Sequence, residues 1–218
     1  MNLQNSEMNK VVSKTFLWMF IGLLITASLS YYCYDSGFSY KLLINGYFNI
    51  LLIVELAMVL LFTFLFRKLS LTGVTLLFLG YSILNGITLS TIFYAFSIES
   101  IYMTFIGAAL IFGALGLIGS RTNIDLTKVG TICMGTLIVG VIMSIVNIFM
   151  GSSTMDLVIN WVILIAFFGI TAYDMQKLKR YAYSGVYGDK LHIYFALELY
   201  LDFINIFLRL LSLFGNKK

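Results

Sequence analysis

The stretch LHIYFALELYLDFINIFLRLLSLFG, Leu191–Gly215, is long enough to cross a bilayer yet carries Glu198, Asp202 and Arg209. A carboxylate in hydrocarbon is costly unless it is paired, wet or protonated. At about 100° per residue, Tyr194, Glu198, Asp202, Asn205, Arg209 and Ser212 fall on one stripe of a helix. Leu197, Leu199, Leu201, Phe203, Ile206, Phe207, Leu208 and Leu210 cover the other faces. The spacing predicts a helix with one polar seam, which must face protein or water. Such a seam is either a self-satisfied structural network, with Asp202 and Arg209 two turns apart, or a wet path that attracts cations.

Outward from this segment the chain is apolar almost throughout. Of its 218 residues 60% are hydrophobic, and only 14 Lys and Arg and 10 Asp and Glu are charged, with a mean hydropathy of +0.95. A soluble domain of this size has no interior large enough for that much apolar surface. Charges bound six ordinary spans: Thr15–Tyr34, Leu42–Phe66 interrupted only by Glu55, Leu69–Ile98, Ser100–Ser120, Val129–Met155, and Leu157–Tyr173 ending at Asp174. At about 20 residues per crossing, seven helices nearly exhaust the chain. The sequence therefore predicts an all-α polytopic membrane protein, a single transmembrane domain over 1–218 with a short cytoplasmic tail at 1–10 and no second, water-soluble domain. The first apolar run has no cleavage pattern after it and reads as a retained helix.

Lys10, Lys14, Arg67, Lys68, Arg121, Lys128, Lys177, Lys179, Arg180 and Lys190 fall on one side if the helices alternate. The other side receives Lys41 with Asp35, Glu99 and Asp156. That asymmetry places the N-terminus in the cytoplasm. Lys217 and Lys218 lie outside if the seventh helix crosses fully, inside if it re-enters. The net charge of +4 thus reads as cytoplasmic loops, with no nucleic acid implied. Cys33 and Cys133 show no metal spacing, and one histidine, His192, excludes most zinc patterns. Gly107, Gly113, Gly116 and Gly119 read as packing glycines of one span. Glu55 stands alone in mid-helix, as a buried hydrogen-bonded acid or a pathway ligand. Asp174 reads as a solvated acid at the inner end of its helix, several ångströms off the depth of Asp202.

Three stretches resemble the transmembrane Bax inhibitor motif family, in its bacterial branch: GITAYDMQKLKRY (Gly169–Tyr181), the run Ala196–Gly215 with its YLDFIN motif, and Asp125–Leu157. The resemblance implies seven helices, six wrapped around a central C-terminal one. It also implies a pH-dependent calcium leak governed by two aspartates sharing a hydrogen bond, which by motif are Asp174 and Asp202. A basic residue closing the second helix latches that pair in the family. Arg67 is the nearest match, with Lys68 beside it. Relatives carry serine where this chain has Glu198, so a third carboxylate joins the set as a calcium ligand or as a neighbour that favours protonation.

Calcium takes several hard oxygens, and two adjacent carboxylates cannot both ionise cheaply, so such a pair titrates as a coupled unit. The expected pathway residues are Asp174, Asp202, Glu198, Glu55, Asn205 and Arg209, with Arg67 as latch and with Asp174, Asp202 and Glu198 as calcium ligands. The expected partners are the bilayer, protons and calcium as permeant ion, with no tightly bound cofactor. No enzymatic activity is expected. The GVYGD stretch lacks the GxGD spacing of intramembrane aspartyl proteases, and the chain has no proline for their PAL motif. No GxSG motif is present, and no lysine between Lys190 and Lys217 offers a Schiff base to retinal. The alternative is a regulator of a bacterial plasma membrane that binds and restrains a membrane-bound quality-control protease through the tail 1–10 or the basic loop between helices six and seven.

Overall fold

The computed structural model describes residues 2–184 and 188–218, so 185–187 of the basic loop and of GVYGD lie outside the described residues. The chain is helical: α1 (Asn2–Asp35), α2 (Phe38–Ile44), α3 (Phe48–Leu65), α4 (Leu71–Leu89), α5 (Ile92–Ala95), α6 (Ile98–Arg121), α7 (Thr127–Met150), α8 (Ser153–Ser184) and α9 (Leu191–Phe214), with a 3-10 turn at Gly188–Lys190. Among the described residues the strand pairing is one antiparallel bridge, Phe96 with Lys217. Six helical segments are long and apolar enough to cross a membrane: Ser6–Asp35, Phe48–Leu65, Leu71–Ala95, Ile98–Arg121, Thr127–Met150 and Ser153–Ser184. The seamed helix α9 is not one of these six.

Two helices outrun the charge boundaries that mark their apolar cores. α1 takes in residues 2–10, set apart in sequence as a tail. α8 continues through Lys177, Lys179 and Arg180 to Ser184, because lysine and arginine are good helix formers and no glycine or proline intervenes before Gly185. Asp174 is therefore an interior residue of α8 and not a solvated helix end. Elsewhere an apolar run is split: Gly46, at φ 71°, breaks Leu42–Phe66 into α2 and α3, since a left-handed residue cannot continue a helix.

The chain divides into two compact units, one formed up to Ala95 with Tyr181–Tyr200 and Lys218, the other by Phe96–Arg180 with Leu201–Lys217. In the first, α1 lies on α4, and a Cβ at Gly86 would stand 2.9 Å from the Thr26 carbonyl oxygen. Tyr31, Tyr32, Tyr40 and Tyr47 are exposed around the α1–α3 connections, as expected of aromatic side chains at a bilayer interface.

The second unit is sealed by small residues. A Cβ at Gly119 would collide with the backbone carbonyl of Ala172, and one at Gly130 with the ring of Tyr173. Gly107 and Gly113 meet nothing within 4 Å, so only part of the α6 glycine set packs helix on helix. Gly119→Ala should destabilise the protein by about 1–3 kcal/mol, since a backbone neighbour cannot yield as a side chain does. Gly113→Ala should be neutral or slightly stabilising, and thermal unfolding in detergent distinguishes the two.

Candidate functional site

Asp174 and Asp202 are both buried, at 7% and 4% exposure, in the second unit. Asp174 lies ten residues before the end of α8, and Asp202 eleven after the start of α9. At 1.5 Å per residue each stands about 15–17 Å along its helix from the α8–α9 connection. Counted along the chain, the two aspartates are thus about equally far from the ends of their helices at that connection, because α8 is longer than its apolar core. Lys177, one turn on from Asp174, brings its Nζ to 3.8 Å from the carboxylate and stands 5.9 Å from the centre of the Tyr173 ring.

Burial along α9 sorts by face. Between Tyr194 and Ser212 the residues not fully buried are Tyr194, Glu198, Leu201, Asn205, Leu208, Arg209 and Ser212. All seven fall within one stripe about 100° wide at helical spacing. Five of them are the polar seam read from sequence, and Asp202 forms its buried edge. The apolar faces are packed while the polar face is the more accessible one.

Within the seam, Arg209 donates from Nη1 to Asn160 Oδ1 of α8 at 2.7 Å, and Asn205 donates to the Leu201 carbonyl at 2.8 Å. The buried Nε of Arg209 has no protein acceptor among the described residues. Among the described residues no three His, Cys, Asp or Glu side chains form a group able to hold a metal ion. The expected three-carboxylate set of Asp174, Asp202 and Glu198 is thus not a preformed calcium cage.

Glu55 belongs to a separate buried network in the first unit. Its Oε1 accepts from Asn85 Nδ2 at 3.5 Å, and the Thr88 hydroxyl stands near it. Tyr200 donates to Asn85 Oδ1 at 3.1 Å and shares a 2.6 Å contact with Thr26 Oγ1, which also reaches the Ser82 carbonyl at 2.9 Å. Each hydroxyl carries one proton, so the chain has two arrangements: Thr26 donates to Tyr200 and Tyr200 to Asn85, or Tyr200 donates to Thr26 and Thr26 to the Ser82 carbonyl. Tyr200→Phe removes the centre of the network and should cost about 1–3 kcal/mol in thermal unfolding, because Asn85 is left buried and short of a partner.

Arg67 sits exposed on the turn after α3. Lys190 fixes that turn, donating to the carbonyls of Phe66, Arg67 and Leu69 at 3.2, 3.4 and 2.8 Å. The loop acid Asp125 is no physiological sensor. The Thr127 hydroxyl and N–H, with the Arg180 guanidinium, hold its carboxyl down to about 2. Its stabilising contribution is complete above the ordinary aspartate range and is lost only as the pH falls towards 2.

Sequence reasoning missed Asn85, Asn160 and Lys190. The two amides were legible in principle, since a primary amide inside an apolar span demands a partner. Lys190 was not, because its three acceptors lie more than 120 positions away.

The chain is similar over nearly its whole length to bacterial membrane proteins. It is 40% identical over 214 residues to the inner membrane protein YbhL of Escherichia coli K12, covering 95% of this chain and 92% of that one. An uncharacterized protein of Deinococcus radiodurans is 33% identical over 216 residues (97% and 92%), and one of Rickettsia prowazekii 32% over 215 (97% and 91%). With six membrane-span candidates, this is an integral membrane protein. The model of the family described as inhibitor of apoptosis-promoting Bax1 matches residues 8–218, and the chain belongs to that Bax inhibitor family.

Proposed function

We propose that this protein is a pH-sensitive calcium leak pathway of a bacterial inner membrane, gated by Asp174 and Asp202 as a proton-sharing pair. The observation that carries the reading is a pair of buried carboxylates within one compact unit, Asp174 on α8 and Asp202 at the edge of the accessible, polar face of α9. With one proton between them the pair ties α8 to α9. Loss of that proton creates repulsion and a cation site together. Glu198, one turn before Asp202, adds a third anionic oxygen source along the seam. The unpartnered Nε of Arg209 and the half-buried Asn205 suit a wet path, since a polar seam with room holds water.

In this reading α9 is a seventh, central span, supported by its near-complete burial on every face but the seam. The N-terminus lies in the cytoplasm, as the loop charges direct. The purified protein alone, reconstituted in proteoliposomes with a calcium dye, should pass calcium at a rate that changes with pH. Absence of flux across the pH range would overturn the leak and favour the regulator of a membrane-bound protease, which needs no pathway.

A further inference from the structure

The second unit holds a cavity of about 390 Å³ that the calcium pathway does not use. One wall is a single face of α6, from Glu99 through Met103 and Gly107 to Ile111, and the opposite wall is Leu210 and Phe214 of α9. Glu99 to Ile111 is twelve residues, about 18 Å of helix, against about 15 Å for one leaflet of a 30 Å hydrocarbon core. The groove therefore runs from the end of a membrane-span helix down through one leaflet's depth. Its floor is apolar and open, and a Cβ at Gly107 would meet nothing within 4 Å.

The mouth is polar, and most of its groups are satisfied by protein. Ser100 Oγ accepts from the Asn216 N–H at 2.9 Å and from Ser97 Oγ at 3.0 Å, and Thr104 donates to the Ser100 carbonyl at 2.6 Å. Glu99 is the exception: exposed, with no hydrogen bond or ion pair among the described residues. Lys217, exposed, is fixed at the same end by its backbone bridge to Phe96. One carboxylate thus stands at the entrance to an apolar groove, and Lys217 directly follows the lining residue Asn216 in the chain.

We propose that this groove seats one phospholipid whose headgroup bears a primary ammonium, with an acyl chain along Gly107, Ile111, Leu210 and Phe214 and the ammonium on Glu99. The apolar floor supplies shape without preference, because bulk lipid tails solvate a chain equally well. Selectivity comes from the mouth. A primary ammonium donates hydrogen bonds to Glu99 that a quaternary one cannot, and its phosphate suits Lys217. An anionic headgroup without an amine faces Glu99 unfavourably.

The test is native mass spectrometry of the full-length protein from nanodiscs holding equal amounts of phosphatidylethanolamine, phosphatidylcholine and phosphatidylglycerol. The wild type should retain phosphatidylethanolamine about tenfold over phosphatidylcholine, as one charged hydrogen bond allows. Glu99→Gln should erase that preference. Gly107→Leu, which fills the open floor, should lower retention of all three lipids while circular dichroism and elution volume stay unchanged. A preference that survives Glu99→Gln, equal retention of all headgroups by the wild type, or a preference for phosphatidylglycerol would each overturn the proposal.

Discussion

In Asp202→Asn protein, calcium flux should run at one rate across the pH range in which the wild-type rate changes. Asparagine keeps the shape of the side chain and its capacity to accept a hydrogen bond, but it neither binds nor releases a proton. With one carboxylate left, no repulsion appears as the pH rises, and the two states of the helix pair no longer interconvert with protonation. The fold should survive, at a cost of about 1 kcal/mol, since a buried polar group is exchanged for one of equal size. Flux that remains pH-dependent in this variant would place the sensor elsewhere. Glu55, with its own buried network, and His192 at the start of α9 are then the residues to change.

Glu198→Ser separates a wet seam from a structural one. Glu198 stands four residues before Asp202 on the accessible face of α9, so its charge adds to the field that draws a cation to the seam. At an effective dielectric of about 20, one charge within a few ångströms is worth a kcal/mol or more, or roughly tenfold in affinity. Calcium titration of the purified variant should show a loss of that order with the thermal transition unmoved. A shifted transition with unchanged calcium affinity would make Glu198 part of the packing instead.

The spans and the seam were legible in sequence because both rest on periodicity and charge, which are local. Charges mark where hydrocarbon must end, and helical spacing alone collects Glu198, Asn205 and Arg209 on one face, which burial then shows to be the accessible one. Helix ends were less legible: the basic run after Asp174 marks the limit of the apolar core but does not stop a helix, so α8 continues to Ser184. The family's paired aspartates were found by motif, whereas the interior position of Asp174 in its helix came from that extra length of α8. The glycines of α6 divide as they do because helix rotation decides which faces a backbone, and a uniformly apolar span carries no record of its rotation. The Asn85–Tyr200–Thr26 network was hidden for a different reason, since its members lie 115 and 174 positions apart.

The most direct test of a shared proton is an infrared titration of the protein carrying isotope-labelled aspartate. Across the pH range in which the calcium flux changes, the wild type should show one protonated aspartate band that disappears as the pH rises, and that band should be missing from Asp202→Asn. A wild-type spectrum in which every aspartate is ionised throughout that range would contradict the proton-sharing pair, whatever the protein's calcium flux.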